Sequence, residues 1–438
     1  MGRIDVGALA LYLSRPSLAL GVYPASPWLD ADTNEQGSTD DDLPGKANPG
    51  AADPRGLGER LVEAVRRAVG SHRTVAVLHD GSLGATALLA AADTAGRVVG
   101  AEVTVVVADH PDPRGASVSV QAQQAIALLG GRHRFLLAEA DRLLDRRDRA
   151  GWNPVAPDLG RTPLVRAAEA RAARLGATVI LTPDGAEELL RSGPTGLADL
   201  RTAGRGLADR WQVEGVAAAL ADATSVLGRG AAARRLRARL QVTQEPFAQV
   251  LGGAPRVLAP DLRAHVEAWT AGWVSRLAED LAGDPDPARA YVRARLARFA
   301  GPYPASVAAA APVPRAAPFL DPGFTAWALR LPPSARYDAR RPTPHLRRNR
   351  LLISLVPPAA HGALPATSPP PPSGAIPAPP LPPASGVIPG AAGEYPLCRG
   401  LGLLAPGEDI PADVGTRLTI LEEWLSGYGR VSPGRNGG

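Results

Sequence analysis

Two short loops in this sequence carry residue types that bind phosphate and metal ions. The first lies in residues 78–86 (LHDGSLGAT), where an apolar stretch runs into Asp80, Gly81 and Ser82 and then into an Ala- and Leu-rich stretch. If these stretches are a strand and a helix, the backbone N–H groups and the helix dipole at the turn favour a phosphate. An ordinary glycine turn gives the same pattern, so both interpretations stay open.

The second loop follows residues 177–182 (ATVILT) and reads PDGAEE, with acidic side chains at Asp184, Glu187 and Glu188. Carboxylates at the carboxyl end of a strand suit a magnesium ion that bridges phosphates. Acidic residues are also favourable in the first turn of a helix, where they meet the positive end of its dipole. A structural role for this cluster is therefore the alternative.

The elements that would position these loops alternate between strands and helices. Strands are predicted at residues 74–78, 102–107, 134–137 and 177–182, and helices from residue 57 and at residues 84–94, 117–129 and 162–175. Such alternation predicts an α/β fold in which a parallel sheet carries helices on both faces. Ligands on such sheets bind beyond the carboxyl ends of the strands, so we expect both loops at one edge.

Beyond residue 200 the pattern changes to helices only. They are predicted at residues 205–240, 260–282, 287–300, 322–329 and 345–355, and the last of these is predicted to be the final ordered helix. Trp269 and Trp273 lie four residues apart on one predicted helix face, which indicates core positions rather than a binding site.

Proline and glycine divide the chain into three predicted parts. The 45 prolines and 47 glycines crowd into the first 58 residues and into the stretch after Pro357. We predict an N-terminal segment and linker at 1–56 and one globular domain at 57–357. Residues 358–438 are predicted to be a disordered Pro-rich region with a short appended helix around residues 414–424.

Charge and cysteine content exclude several classes of protein. The 48 basic and 43 acidic residues are interleaved and leave a net charge of +5, without the concentrated stripe of a nucleic-acid binder. Cys398 is the only cysteine, which excludes an intramolecular disulfide and predicts a reducing cytoplasm. Apolar residues 6–13 are too few to span a membrane and are predicted to pack on the body as a strand or short helix.

The chain resembles the synthetase domain of asparagine synthetases, and with them β-lactam synthetases and lasso-peptide cyclases, over residues 57–357. The first motif of that family is Ser-Gly-Gly-x-Asp-Ser after a strand, and the corresponding loop here reads DGSLGA. Of this motif only Gly81 is kept. Gly84 stands at the position of the family's aspartate, and Ala85 at that of its last serine.

Later segments match this family more closely. Its Gly-Asp-Gly-x-Asp-Glu motif corresponds to PDGAEE, which keeps Asp184, Gly185 and acidic residues throughout. Its Pro-Phe-Leu-Asp segment is present at residues 318–321. The family's catalytic lysine opens a later helix, and counting back from Pro357 places His345 there, since Lys46 is the chain's only lysine.

The resemblance implies an adenine-nucleotide α-hydrolase-like domain that acts as an amide ligase. ATP would adenylate a substrate carboxylate, pyrophosphate would leave, and an amine would displace AMP. The implied cofactors are ATP and Mg²⁺. The implied site places Asp80, Gly81, Ser82 and Gly185 on the nucleotide, Asp184 and Glu187 on the metal, and His345 at the catalytic position.

The resemblance also implies a small-molecule or peptide carboxylate as the substrate. Gly2 stands where a glutaminase has its nucleophilic cysteine, and residues 1–56 are too few for that domain. The amine is therefore expected from free ammonia, a partner subunit or the substrate itself. The lost aspartate, serine and lysine positions fit an alternative, a degenerate pseudo-synthetase that serves a biosynthetic partner as a binding or scaffold protein.

Overall fold

The structure is a computed structural model that describes most of the sheet-forming half of the chain and several segments before and after it. It describes residues 5–14, 53–108, 117–129, 134–138, 163–191, 230–243, 254–284, 287–297, 299, 313–364, 395–406, 408, 410 and 412–431. The predictions for residues 30–52, for the first part of the helix at 205–240 and for residues 365–394 lie outside the described residues.

Five parallel strands form the sheet. They are β1 (Thr74–His79), β2 (Glu102–Ala108), β3 (Arg134–Ala138), β4 (Val179–Leu181) and β5 (Arg315–Ala316), and their order is β3-β2-β1-β4-β5. Every neighbouring pair is parallel, and Val77 of β1 is in register with Val105 and with Leu181. Because the order reverses between β1 and β4, the loops after these two strands flank the switch point at which such sheets bind ligands.

Fourteen helices are found in the described part of the chain. They are α1 (Val6–Ser14), α2 (Leu57–Val69), α3 (Leu83–Val99), α4 (Val118–Leu128), α5 (Pro163–Arg174), α6 (Ala186–Leu190), α7 (Ala231–Thr243), α8 (Pro260–Gly283), α9 (Pro287–Ala297), α10 (Pro322–Ala328), α11 (Pro344–Arg348), α12 (Arg350–Leu355), α13 (Pro396–Gly400) and α14 (Ala412–Val431). Short 3₁₀ helices lie at Pro54–Gly56, Pro318–Leu320, Pro333–Arg336 and Pro358–Ala363.

Both faces of the sheet are covered, as the alternation of side chains along β1 requires. Val75 and Val77 join the core under α2 and α3, whereas Ala76 and Leu78 join the core with α5 on the opposite face. These four side chains are at most 7% exposed. The predicted α/β fold with helices on both faces is thereby confirmed.

The helices that follow form two further apolar clusters. One joins α7, α8 and α9 and contains Trp273, with Trp269 packed against it, so both tryptophans are core residues as predicted. The other joins α1, the first half of α8, α13 and α14. There Arg417 Nη1 donates a hydrogen bond of 2.6 Å to Leu13 O. Residues 6–13, predicted to be a strand or a short helix, are thus a helix.

The prediction of one helix over residues 345–355 is wrong, because α11 and α12 are separated at Asn349. Its side-chain Nδ2 donates to His345 O at 2.8 Å, and so replaces the backbone N–H that a continuous helix would use. Order also continues past this point, since Ala360 is completely buried in the core under the sheet. The division into three domains stays a prediction. No helix of the described ranges is long and apolar enough to cross a membrane.

Candidate active site

The first loop connects β1 to α3 and is closed by hydrogen bonds among its own residues. Asp80 Oδ1 accepts from the Ser82 N–H at 3.0 Å, and Ser82 Oγ accepts from the Ala85 N–H at 3.0 Å. The second of these bonds caps the N-terminus of α3, with Ser82 as the residue that precedes the helix. Gly81 supplies the positive φ of 79° on which the turn depends.

His79 fixes this loop to the helix that follows it. Its Nδ1 accepts from the Gly81 N–H at 3.1 Å, so the ring proton lies on Nε2, which is 3.3 Å from Thr86 Oγ1. The Thr86 hydroxyl in turn donates to Ser82 O at 3.1 Å. Burial lowers the pKa of His79 to about 4, against the opposing charge of Asp80. Sequence reasoning missed this neutral histidine, although a polar residue ending an apolar strand is a signal for such a role.

These contacts decide what the first loop can offer to a phosphate. The N–H groups of Gly81, Ser82 and Ala85 already have acceptors within the chain. One of those acceptors is the carboxylate of Asp80, which is 6% exposed. A negative group held at the helix N-terminus takes the place of an anion and repels another.

Gly84, at the position of the family's aspartate, lies against the second loop. A Cβ built on Gly84 would be 2.6 Å from Ala186 Cβ, closer than real Cβ atoms approach. The first turn of α3 and the first residue of α6 therefore touch directly. An acidic side chain at position 84 would not fit without a movement of α6.

Asp184, predicted to bind the metal, is engaged by groups of the protein. Its Oδ2 accepts from the Thr182 hydroxyl at 2.6 Å and lies 3.7 Å from Arg315 Nη2. The same guanidinium forms an ion pair with Glu169, with 3.1 Å between Nε and Oε1. The structure thus gives Asp184 a cationic partner from β5.

Gly185 and Glu187 open the short helix α6. Gly185 has a φ of 83°, and a Cβ there would overlap Leu320 Cδ2, so its backbone packs closely on residues 318–320. Burial raises the pKa of Glu187, Arg191 opposes this shift, and Glu188 and Asp80 add to it, although 25% of its side chain is exposed. The interaction with Asp80 shows that the two loops converge.

His345 is a buried, neutral side chain. It is 3% exposed, and its Nδ1 is 3.2 Å from Asn349 Nδ2, a donor, so its proton lies on Nε2. Burial, with the positive charges of Arg191 and Arg348, lowers the pKa of His345 to about 3. Arg191 Nη1 also lies 3.8 Å from Glu187 Oε2, so one guanidinium links the predicted metal ligand to the predicted catalytic position.

Several arginines that hold the site were missed by sequence reasoning. Arg336 is buried and donates to Leu189 O and to Ala328 O, the latter at 2.9 Å, which holds the ends of α6 and α10 together. Burial lowers its pKa to about 10. Asp321 of the Pro-Phe-Leu-Asp segment accepts hydrogen bonds from Nη2 and Nε of Arg67, at 2.7 and 3.1 Å. This carboxylate therefore has a structural role.

The oxygen ligands near the two loops decide whether magnesium fits between them. Magnesium requires several oxygen ligands in octahedral geometry. Among the described residues, no group of three or more His, Cys, Asp or Glu side chains could hold a metal ion. Gly84 contributes no carboxylate, and Asp184 is paired with Arg315. Of the described residues, the two loops thus offer a magnesium-bound triphosphate no carboxylate at position 84 and one at Asp184 that already has a cationic partner, which is a poor fit for that ligand.

Comparison with known proteins gives one match. A family model described as Asparagine synthase matches residues 56–358, which is more than half of the 438 residues. The matched range contains both loops, Arg315 and His345. No curated protein matches the sequence.

Proposed function

We propose that this chain, which belongs to the asparagine synthase family, is a catalytically degenerate member that keeps the synthetase fold as a binding or scaffold protein for a biosynthetic partner. The family is one of ATP-dependent, amidotransferase-type synthetases. The observation that carries the proposal is the first loop, in which the N–H groups of Gly81, Ser82 and Ala85 are bonded to the chain's own side chains.

The chemistry of carboxylate activation explains why such a loop matters. Adenylation moves negative charge between phosphates and an acyl group, so it depends on cations and donors that are already in position. The removal of one such group costs about 3 kcal/mol in the transition state, or roughly a hundredfold in rate. Here the Asp80 carboxylate lies at the N-terminus of α3, where the resemblance puts a phosphate, and buried, neutral His345 corresponds by the same resemblance to the family's lysine.

The experiment is the exchange of labelled pyrophosphate into ATP in the presence of a panel of small-molecule and peptide acids. We expect no exchange above the protein-free blank. A matched variant would restore the family's residues as Asp80→Ser, Gly84→Asp and His345→Lys, with Ala186→Gly to make room for the new aspartate. Acid-dependent exchange by the unaltered chain would overturn the proposal.

The second candidate is the amide ligase itself, with ATP and Mg²⁺ as cofactors and a carboxylate substrate. One observation favours it, namely that Arg191 lies 3.8 Å from Glu187 and that its positive charge also acts on His345. The same exchange assay decides between the two candidates, because only a ligase makes the reversible adenylate.

A further inference from the structure

One guanidinium on the last strand lies between two carboxylates from different elements. Arg315 of β5 is 3.1 Å from Glu169 of α5 and 3.7 Å from Asp184, which follows β4. The Glu169 side chain is 1% exposed and that of Arg315 is 19% exposed. A carboxylate as buried as Glu169 requires a counter-charge, so Arg315 has a fixed structural task.

The sheet itself builds this arrangement. Arg315 is in register with Ile180 of β4, and the Thr182 N–H donates to Ala316 O at 2.9 Å. The two parallel strands therefore bring Arg315 to the carboxyl end at which Asp184 emerges. The Thr182 hydroxyl then donates to Asp184 Oδ2, the oxygen that Arg315 approaches.

We infer that Arg315 is a built-in cation that takes the place of a divalent metal at Asp184. A divalent ion on Asp184, whose side chain is 39% exposed, would lie within a few ångströms of the guanidinium, and like charges at that distance repel. This inference rests on the proposed loss of catalysis at the same site.

The test uses Mn²⁺ alone as the probe and the full chain as the protein. Free Mn²⁺ is measured by electron paramagnetic resonance with the unaltered chain, Asp184→Asn and Arg315→Met, which keeps the apolar stem of the arginine. We expect the unaltered chain and Asp184→Asn to bind Mn²⁺ alike. Arg315→Met should bind it about tenfold more tightly or better, and adding Asp184→Asn should remove the gain.

Two results would overturn the inference. One is Mn²⁺ binding by the unaltered chain that weakens about tenfold in Asp184→Asn. The other is a folded Arg315→Met protein that gains no Mn²⁺ affinity. If Arg315→Met does not fold, the comparison between the unaltered chain and Asp184→Asn decides alone.

The pyrophosphate exchange assay separates this inference from the proposed function. Exchange by a chain whose Mn²⁺ binding ignores Asp184 would refute the degenerate function and leave the role of Arg315 standing. Mn²⁺ binding at Asp184 without exchange would refute the role of Arg315 and leave the degenerate function standing.

Discussion

The two loops at the carboxyl edge of the sheet hold their polar groups in opposite ways. In the first loop the hydrogen-bond partners are neighbours in sequence. All of its hydrogen bonds described above join residues in the range from His79 to Thr86. In the second loop Asp184 has a local partner in Thr182 but also a remote one in Arg315, and Gly185 packs on the remote Leu320. A site can thus close by local capping on one side and by tertiary contacts on the other.

This difference predicts how far a change in each loop should spread. A substitution in the first loop should lower the unfolding free energy only by the contribution of one helix cap or one turn. A substitution in the second loop should disturb elements that come from distant parts of the chain. The following changes test that contrast, and each compares a loop residue with a matched control.

The largest effect is expected from Gly185→Ala. The new Cβ would be strained at a φ of 83° and would also overlap Leu320, so we expect a loss of about 3 kcal/mol in the free energy of unfolding. Gly176→Ala is the control, because Gly176 has a φ of 82° and nothing within 4 Å of the added Cβ. It should lose about 1 kcal/mol in denaturant unfolding. Equal losses would show that the contact with Leu320 is unimportant.

Arg336→Met should have a slightly smaller effect. It removes the donors to Leu189 O and Ala328 O inside the protein, and buried carbonyls left without donors cost about 2 to 3 kcal/mol in unfolding free energy. The exposed Arg340 is the control, and Arg340→Met should change stability by less than about 0.5 kcal/mol. If both variants unfold at the same denaturant concentration, Arg336 does not hold α6 and α10 together.

His79 should make the first loop sensitive to acid. In the unfolded chain a histidine gains its proton below about pH 6.5, whereas folded His79 gains it only near a pKa of about 4. Its contribution to stability is therefore present above about pH 6.5 and is lost as the pH falls toward 4. The loss in unfolding free energy amounts to about 2 kcal/mol at pH 5.

The variant His79→Asn keeps an acceptor for the Gly81 N–H and removes the titrating ring. We expect its unfolding free energy to fall less between about pH 7 and pH 5 than that of the unaltered chain. The exposed His265 offers the matched control variant, His265→Asn. An unaltered slope in His79→Asn would mean that the burial of this ring carries no linkage to stability.

The smallest effect is expected from Ser82→Ala. The variant loses the cap on the Ala85 N–H, which should cost about 1 kcal/mol in unfolding free energy, whereas Ser82→Gly should cost only a few tenths. Thermal unfolding of the two variants measures the difference. A loss well above that of Gly185→Ala would reverse the comparison between the loops.

The same contrast explains how much the sequence could predict. The strand, turn and helix around the first loop followed from apolar spacing within a few residues, and the structure has them at Thr74–His79 and Leu83–Val99. The roles of Arg315 and Arg336 could not be predicted, because Arg336 and Leu189 are 147 residues apart. The chain has 48 basic residues, and all of them except Lys46 are arginines. Residue type alone therefore did not distinguish these two arginines from the others.

The break at Asn349 escaped prediction for a related reason. The apolar positions of α12 continue the helical spacing of α11, so periodicity alone indicates one helix. The interruption depends on the Asn349 side chain bonding to His345 O, which is a choice between two donors for one carbonyl. Such a competition is settled by packing, and Asn349 is fully buried.

Among the described helices α1 is synthesised first, but its native contacts are complete only after α14 has been synthesised. Its side chains from Ala8 to Ser14 are buried, and its hydrogen bond from Arg417 to Leu13 joins residues 404 positions apart. A ribosome that adds about 5–20 residues per second needs roughly 20–80 s to cover that distance. Throughout this interval α1 is an apolar segment of a nascent chain that still lacks α14, although α8, another of its partners, is made earlier. Before α8 emerges, the solubility of α1 therefore depends on transient cover, by chaperones or by the growing chain, rather than on its native contacts.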